Sequence, residues 1–487
     1  MSKSHGISLL VIFFLSAFLH FVAIDYPQEA VFDEVHFGKF VSGYLTGEYF
    51  FDIHPPMGKL AIAGIAKVGG FTPGFDFLKI GEQYPDSQYI WLRFLPALFG
   101  SLLAPLIYLL TLRLSRSIRA AQLAGLFIVF ENALLVQSKF ILIDSFLLFF
   151  GFAALYLFLE SKIFFSEGKW GLWSCIVAAF FAGLAVSVKW TAAPFLGLIL
   201  LFGCAAMIKK IVAVWKSKGI MRFTAKKEMM RALAGYIIFL IIPPVVYISL
   251  FAVHFNLLPY KGSGNAYMDA RFQQSQLDGF PMRDFSKNFY ELNVEMFRAN
   301  QRITATHSYS SQWYTWPFML RSVYYWNKDM TFGDITLYER IYLLGNPFIW
   351  WSSTVTLIYF FMNGFWRSMV SLFFFLRRKQ HNRSPTQKQT HITVSMSLLL
   401  AGAYLMNFLP FMFIGRVMFL YHYLTALIWA IMITAVLVTS DSKPRTFFTI
   451  LFVGGALAGF FIIFPVTYGT VLNAPWPTYI FWLKSWI

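Results

Sequence analysis

The stretch Phe32 to Lys59, FDEVHFGKFVSGYLTGEYFFDIHPPMGK, gathers Asp33, Glu34, His36, Lys39, Glu48, Asp52, His54 and Lys59 in a chain of which only 13% of residues are charged. Such a concentration of acids and imidazoles suits proton transfer, with one carboxylate taking the proton of an attacking hydroxyl while a neighbour orients it. Adjacent residues on a helix point about 100° apart, so Asp33 and Glu34 have different duties. One serves as general base and the other orients a substrate or a partner side chain; either order fits the spacing.

The remainder of the chain explains why that loop stands out. At 487 residues, 58% hydrophobic and 20% aromatic, with mean hydropathy +0.59, it falls outside the range of soluble domains, where about 25% of residues are charged. It reads as an all-α polytopic membrane protein. The net charge of +17 would suggest nucleic acid in a soluble domain, but Lys and Arg collect in the cytoplasmic loops of membrane proteins. The bilayer, and not nucleic acid, is therefore the expected partner. Cys175 and Cys204 both lie in apolar runs, implying neither a disulfide framework nor a metal site.

A helix needs about 20 apolar residues to cross the hydrocarbon core. Suitable stretches occur at 7–24, 91–112, 121–138, 140–160, 171–188, 191–208, 233–252, 348–375, 393–414, 417–439 and 447–466, about eleven in all. The first is too long for a signal-peptide core and reads as a retained span. With the N-terminus inside, the basic clusters at 113–119, 209–231, 377–391 and 441–445 all become cytoplasmic, in accord with the positive-inside trend. The long loops 25–90 and 253–347 then face outside. The whole chain, 1–487, reads as one membrane domain with an outer cap, 25–90 being its catalytic loop.

Against that trend, Arg93, Lys139, Lys189 and Arg416 fall at span ends on the outer side, with Glu131 and Asp144 nearby. An ionisable residue at membrane depth costs roughly 2.5–3.5 kcal/mol on insertion scales, which makes a converging set a functional-site hypothesis. A cationic pocket below a loop bearing Asp33, Glu34 and Asp52 suits a lipid-linked phosphate and a base that activates an acceptor.

These residues resemble the protein O-mannosyltransferases. The similarity is carried, in family order, by FDEVHFGKF (32–40), FFDIHPPMGK (50–59), WLRFLPALFG (91–100), ENALLVQSKFILIDSFLLFF (131–150), GLAVSVKWTA (183–192), SSQWYTWP (310–317), LGNPFIWW (344–351) and RVMFLYHYL (416–424). The resemblance implies a glycosyltransferase C-type fold, a polyprenyl-phosphate-mannose donor, Ser/Thr-containing polypeptide acceptors and inversion at the sugar. It makes Asp33 the base, with Glu34 holding the acceptor or supporting that base. Arg93 and Arg416 would hold the departing phosphate, with contributions from Lys189 and Lys139. Asp52 and His54 would shape the loop, Trp313 and Trp316 would line the acceptor or sugar region, and His422 and Tyr421 are further candidates.

Eukaryotic members carry a β-trefoil domain in the second outer loop, whereas 253–347 has room only for helices and short loops. This implies a prokaryotic-type enzyme with an undecaprenyl- or decaprenyl-like carrier, acting at the outer face of the plasma membrane, with the secretion machinery as a further partner. The segment Arg298 to Ser311, RANQRITATHSYSS, reads as a lid over the acceptor groove. No His/Asp/Glu cluster has metal-ligand spacing, and basic residues can neutralise a phosphate, so no metal or other cofactor is expected. Two alternatives remain: a glycosyltransferase of the same fold acting on lipid A, polysaccharide or another lipid, and a transporter of a charged lipid or sugar. Transporters place charged sites near the midplane, often between internal repeats; charges gathered at one face favour an enzyme.

Overall fold

In a hydrocarbon environment an apolar chain satisfies its backbone polar groups internally, and a helix does so within one segment. The computed structural model, which describes residues 3–165, 168–303, 307–377, 390–439, 445–473 and 476–487, is accordingly mostly helical. Most of the basic loop at 377–391, the loop residues 441–444 and residues 304–306 of the expected lid lie outside the described residues.

In chain order the helices are α1 (Lys3–Phe21), α2 (Glu34–Thr46), α3 (Met57–Val68), α4 (Tyr89–Ser115), α5 (Ile118–Val129), α6 (Asn132–Lys139), α7 (Asp144–Leu159) and α8 (Leu172–Val186). There follow α9 (Ala193–Lys216), α10 (Gly219–Leu257), α11 (Ala270–Leu277), α12 (Phe285–Arg302), α13 (Pro347–Arg377), α14 (Thr390–Phe408), α15 (Leu424–Thr439) and α16 (Arg445–Tyr468). Among the described residues seven are long and apolar enough to cross a membrane, eight if the α5–α6 pair counts as one; α7 and α8 are apolar but shorter. The centre of the bundle is α4, packed on α1, α5 and α7, together with α15, packed between α5 and α13.

The stretch at 121–138, expected as one span, bends by 54° between α5 and α6. The break is stabilised at a fully buried carboxylate. Glu131 Oε1 accepts from the amides of Ala133 (3.2 Å) and Asn346 (3.1 Å), while the Asn346 side chain donates to the carbonyls of Phe130 (2.9 Å) and Ala456 (2.8 Å). Backbone groups freed by the bend are thereby paired inside the protein, as burial demands.

The region 253–347 departs from the expectation of helices and short loops alone. It contains a hairpin, β1 (Val323–Phe332) and β2 (Ile335–Leu343), joined at Gly333–Asp334, with β3 (Leu472–Asn473) completing an antiparallel sheet in the order β1-β2-β3. Gly333 takes φ +58°, which a tight two-residue hairpin turn requires. The register shifts between Tyr324 and Trp326, and such a bulge re-aims side chains: Tyr325 and Trp326 are both fully buried. The Tyr325 ring stacks on Phe32 with centroids 4.1 Å apart, and its carbonyl accepts from the Phe32 amide at 3.1 Å. The hairpin thus clamps the loop that precedes α2.

The tightest constraint on that loop is Glu34. Glu34 and Arg93 are both fully buried and meet in a two-point contact, Nε to Oε1 and Nη2 to Oε2, each 2.8 Å. Glu34 also accepts from the amides of Val31 (2.9 Å) and Ile141 (3.0 Å) and from the Tyr84 hydroxyl (3.0 Å). Arg93 spends its other donors on the carbonyls of Ile24, Pro27 and Glu29. Three segments distant in sequence are tied at one point. Removing one partner of a buried ion pair costs about 3–5 kcal/mol because the other charge is left uncompensated. Arg93→Met should therefore lower the unfolding temperature in detergent sharply, and Glu34→Leu combined with Arg93→Met should be less damaging than the sum of the single changes.

Candidate functional site

The α2 N-terminus sets the two acids apart. Glu34 is the first helical residue and turns into the protein, while Asp33, just before it, turns into open space. Two cavities meet there. The first, about 180 Å³, is lined by Asp33, His54, Gln137, Asp144, Lys189 and Arg416, with Leu142, Leu147 and Leu148 on an apolar side. The second, about 450 Å³, is lined by Asp33, His36, Asp52, His54, Glu295 and Arg302, with aromatic walls from Phe40, Phe51 and Tyr267. Asp33 and His54 face both.

The His-Pro-Pro loop is held from below by Lys59, a buried side chain that pairs with Asp52 and donates to the carbonyls of His54 (2.8 Å) and Pro55 (3.1 Å). Gly58 lets the start of α3 pack closely on Ile143, just before α7: a Cβ there would lie 2.7 Å from Ile143 Cγ2, closer than packed carbons allow. From above, Asn300 on α12 donates to the Ile53 carbonyl at 3.0 Å. The loop is fixed on both sides, and with it the position of His54.

On the far wall of the first cavity Lys189 donates to both oxygens of Asp144, each at 2.9 Å, and lies 5.6 Å from the centroid of Tyr421. Gln137 donates to Asp144 Oδ2 at 2.8 Å and accepts from the Tyr325 hydroxyl. The β-hairpin is thereby connected to the cationic wall as well as to the Asp33 loop. Arg416 has no hydrogen bond or ion pair with another residue among the described residues, so its guanidinium is available to an anion.

Burial between the cavities raises the Asp33 carboxyl to about pH 6; the charges of His36 and Lys189 hold it down, and those of Asp144 and Asp52 push it up. His54 is shifted well below its ordinary range, first by burial and then by Lys189, Lys59 and Arg416. It is therefore a neutral imidazole at physiological pH, able to donate at one nitrogen and accept at the other.

The residues expected from sequence separate into two groups. Asp33, His54, Lys189, Arg416, Tyr421 and His422 line the first cavity, and Asp52 the second. Glu34 touches neither, because its oxygens are consumed by Arg93, Tyr84 and backbone amides. Arg93, expected at the phosphate, is likewise occupied. Lys139, the other expected phosphate ligand, donates to the Val22 carbonyl at 2.8 Å and sits 3.8 Å over the Tyr468 ring. Trp316 is fully buried, donates to Ser311 Oγ (2.9 Å) and stacks on His422 with centroids 5.9 Å apart; Trp313 packs edge-on against Phe408. Neither tryptophan lines either cavity, and an indole so packed supports His422 without offering a face to a sugar. Gln137, Asn300 and Asn407 line the first cavity without having been expected. Asp144 was visible only as one more charge at a span end; the Lys189 pair that places it joins residues 45 apart in sequence. Among the described residues no three His, Cys, Asp or Glu side chains converge as metal ligands.

Comparison with known proteins adds family context. Residues 10–259 match the family described as dolichyl-phosphate-mannose-protein mannosyltransferase, and residues 285–486 match the C-terminal four-transmembrane region of protein O-mannosyltransferase. Protein O-mannosyltransferase 1 of Drosophila melanogaster is 37% identical over 271 residues, 55% of this chain and 29% of that protein. Dolichyl-phosphate-mannose–protein mannosyltransferase 1 of Saccharomyces cerevisiae is 32% identical over 275 residues, 55% of this chain and 32% of that protein. The matched part therefore spans about a third of these relatives. The structure of the S. cerevisiae Pmt1-Pmt2 complex bound to the sugar donor superposes with TM-score 0.85 at 18% identity, covering 100% of this chain and 93% of that one. The fold is the glycosyltransferase C-type.

The Asp33 carboxylate is a base only when ionised, so the rate of the reaction it serves should fall as pH drops through about 6. His36→Gln removes a charge that favours the ionised form and should move that limb to higher pH. A log-rate profile against pH for both proteins checks the sign.

Proposed function

Because the chain belongs to the dolichyl-phosphate-mannose-protein mannosyltransferase family, we propose that it is an inverting glycosyltransferase moving mannose from a polyprenyl-phosphate-mannose donor to Ser/Thr hydroxyls of proteins. The observation that carries this reading is the sharing of Asp33 between a cavity with cationic and apolar walls and a wider aromatic one. The first suits a lipid phosphate with its sugar, the second a polypeptide hydroxyl. Asp33 takes the hydroxyl proton as the oxygen forms its bond to the anomeric carbon. The bond from that carbon to the phosphate oxygen breaks, and the carrier leaves as a phosphate monoester. Charge grows on the leaving phosphate during this step, so Lys189 and Arg416 stabilise the transition state more than the ground state. Neutral His54 adds a hydrogen bond without competing for the phosphate.

The basic loops read as cytoplasmic support a site on the opposite, outer side of the membrane; we take that membrane to be the plasma membrane and the carrier to be undecaprenyl- or decaprenyl-like. Two cations at the phosphate make a metal unnecessary.

The test is transfer from radiolabelled polyprenyl-phosphate-mannose to a Ser/Thr-rich peptide by purified protein in detergent. Asp33→Asn should lose at least a thousandfold in rate, about 4 kcal/mol of transition-state stabilisation, while donor binding stays within about threefold. Arg416→Ala should weaken donor binding and slow transfer together, and excess EDTA should leave the wild-type rate unchanged. Donor bound without label in peptide would redirect the reading to a lipid or polysaccharide acceptor.

A further inference from the structure

Arg416 also faces away from the cavity of Asp33. On its other side lies a cleft of about 490 Å³, lined by the hydroxyl residues Ser310, Ser311, Thr315 and Ser485 and by a second guanidinium, Arg321, with no carboxylate among its lining residues. The walls are held together by the Ser311 amide, which donates to the Met418 carbonyl at 2.9 Å. Arg321 spends one Nη2 donor on the Ser308 carbonyl; its Nε is buried without a partner, so the remaining Nη hydrogens are the ones that can serve the cleft. Thr315 and Ser485 spend their hydroxyl hydrogens on the Gln312 and Leu320 carbonyls, and Ser311 Oγ accepts from Trp316, so the two guanidiniums, with no acid among the lining residues, are what make the cleft a site for a phosphate monoester. Leu320, Val417 and Met418 give the cleft an apolar part, and Phe413 and Trp482, close in sequence to its lining residues Gly415 and Ser485, are exposed. Exposed aromatic residues of this kind belong at a membrane interface, where a lipid tail can lie.

We infer that this cleft is a second phosphate site, which takes the polyprenyl phosphate released by transfer from the first cavity, with Arg416 common to both. The inference rests on the proposed reaction for the origin of the phosphate, but the binding of a lipid phosphate does not require the reaction to occur. Arg416 need not release the anion into the apolar surroundings, since Arg321 meets it on the far side. Product departure thus has a route that shares only Arg416 with donor binding.

The probes are citronellyl phosphate and inorganic phosphate, bound to the full-length protein in nanodiscs, alongside single-turnover and steady-state transfer. Arg321→Gln should weaken citronellyl phosphate binding and product inhibition by about tenfold, the effect of losing one charge-assisted contact, and leave the single-turnover rate within twofold. Arg321→Lys should retain binding within about threefold. Ser310→Glu, which places a carboxylate in the cleft from a loop position, should reproduce the Arg321→Gln result and serves if that variant melts early. Inorganic phosphate should bind at least tenfold more weakly than the lipid form; equal affinity would overturn the lipid assignment. Unchanged citronellyl phosphate binding in both variants, or a single-turnover rate falling in step with binding, would overturn the second site. Should the wild-type protein transfer no mannose, the binding arm still decides the cleft, and only the reaction reading fails.

Discussion

A carboxylate and a guanidinium buried together at the base of a loop are the constraint on which this molecule depends. Burial of either alone would be prohibitive, so Glu34 and Arg93 hold each other in place and recruit every nearby donor and acceptor to complete their shells. The contact joins the start of α2, the first turns of α4 and the loop between α6 and α7. The direction in which α2 leaves the membrane domain is therefore fixed, and with it the side of the helix on which Asp33 lies.

The division of labour between the two adjacent acids follows from that anchoring. Glu34 is saturated with hydrogen bonds and has no capacity left for chemistry. Asp33 faces cavity on two sides, where burial without full pairing raises its basicity toward the physiological range. A general base needs both properties, access and a matched proton affinity, and the anchored neighbour supplies the first without sharing in it. The hairpin β1–β2 performs a parallel task. Tyr325 stacks under Phe32 at one end of the site and reaches Gln137, and through it Asp144 and Lys189, at the other. Base and cationic wall are thus referenced to a single bulged strand.

Charge is arranged in the site with little redundancy. Lys189 is balanced by Asp144, while Arg416 has no counter-charge among the described residues and stands between two cavities. A paired cation defines the shape of the wall and an unpaired one attracts the ligand. The apolar side formed by Leu142, Leu147 and Leu148 excludes water from the same space, which strengthens both effects.

Much of this was legible in the chain itself. Composition and run lengths sufficed for a helical membrane protein, because the bilayer leaves an apolar segment little other choice. The density of acids and imidazoles in 32–59 marked the loop that reaches the cavities, because charge is too costly in such a chain to be placed idly. What the sequence could not supply was direction. Arg93, Lys139, Lys189 and Arg416 are equivalent as cations at span ends, yet two are consumed by carbonyls, a carboxylate or a ring inside the bundle and two line the cavity. Trp313 and Trp316, equally visible as aromatics, became packing. Gln137, Asn300 and Asp144 acquired their places only through partners far along the chain, and the hairpin escaped notice inside a loop read as helix and turn. Residue type states what a side chain is able to do, but only the packing of distant segments decides which donors are already spent and which still face open space.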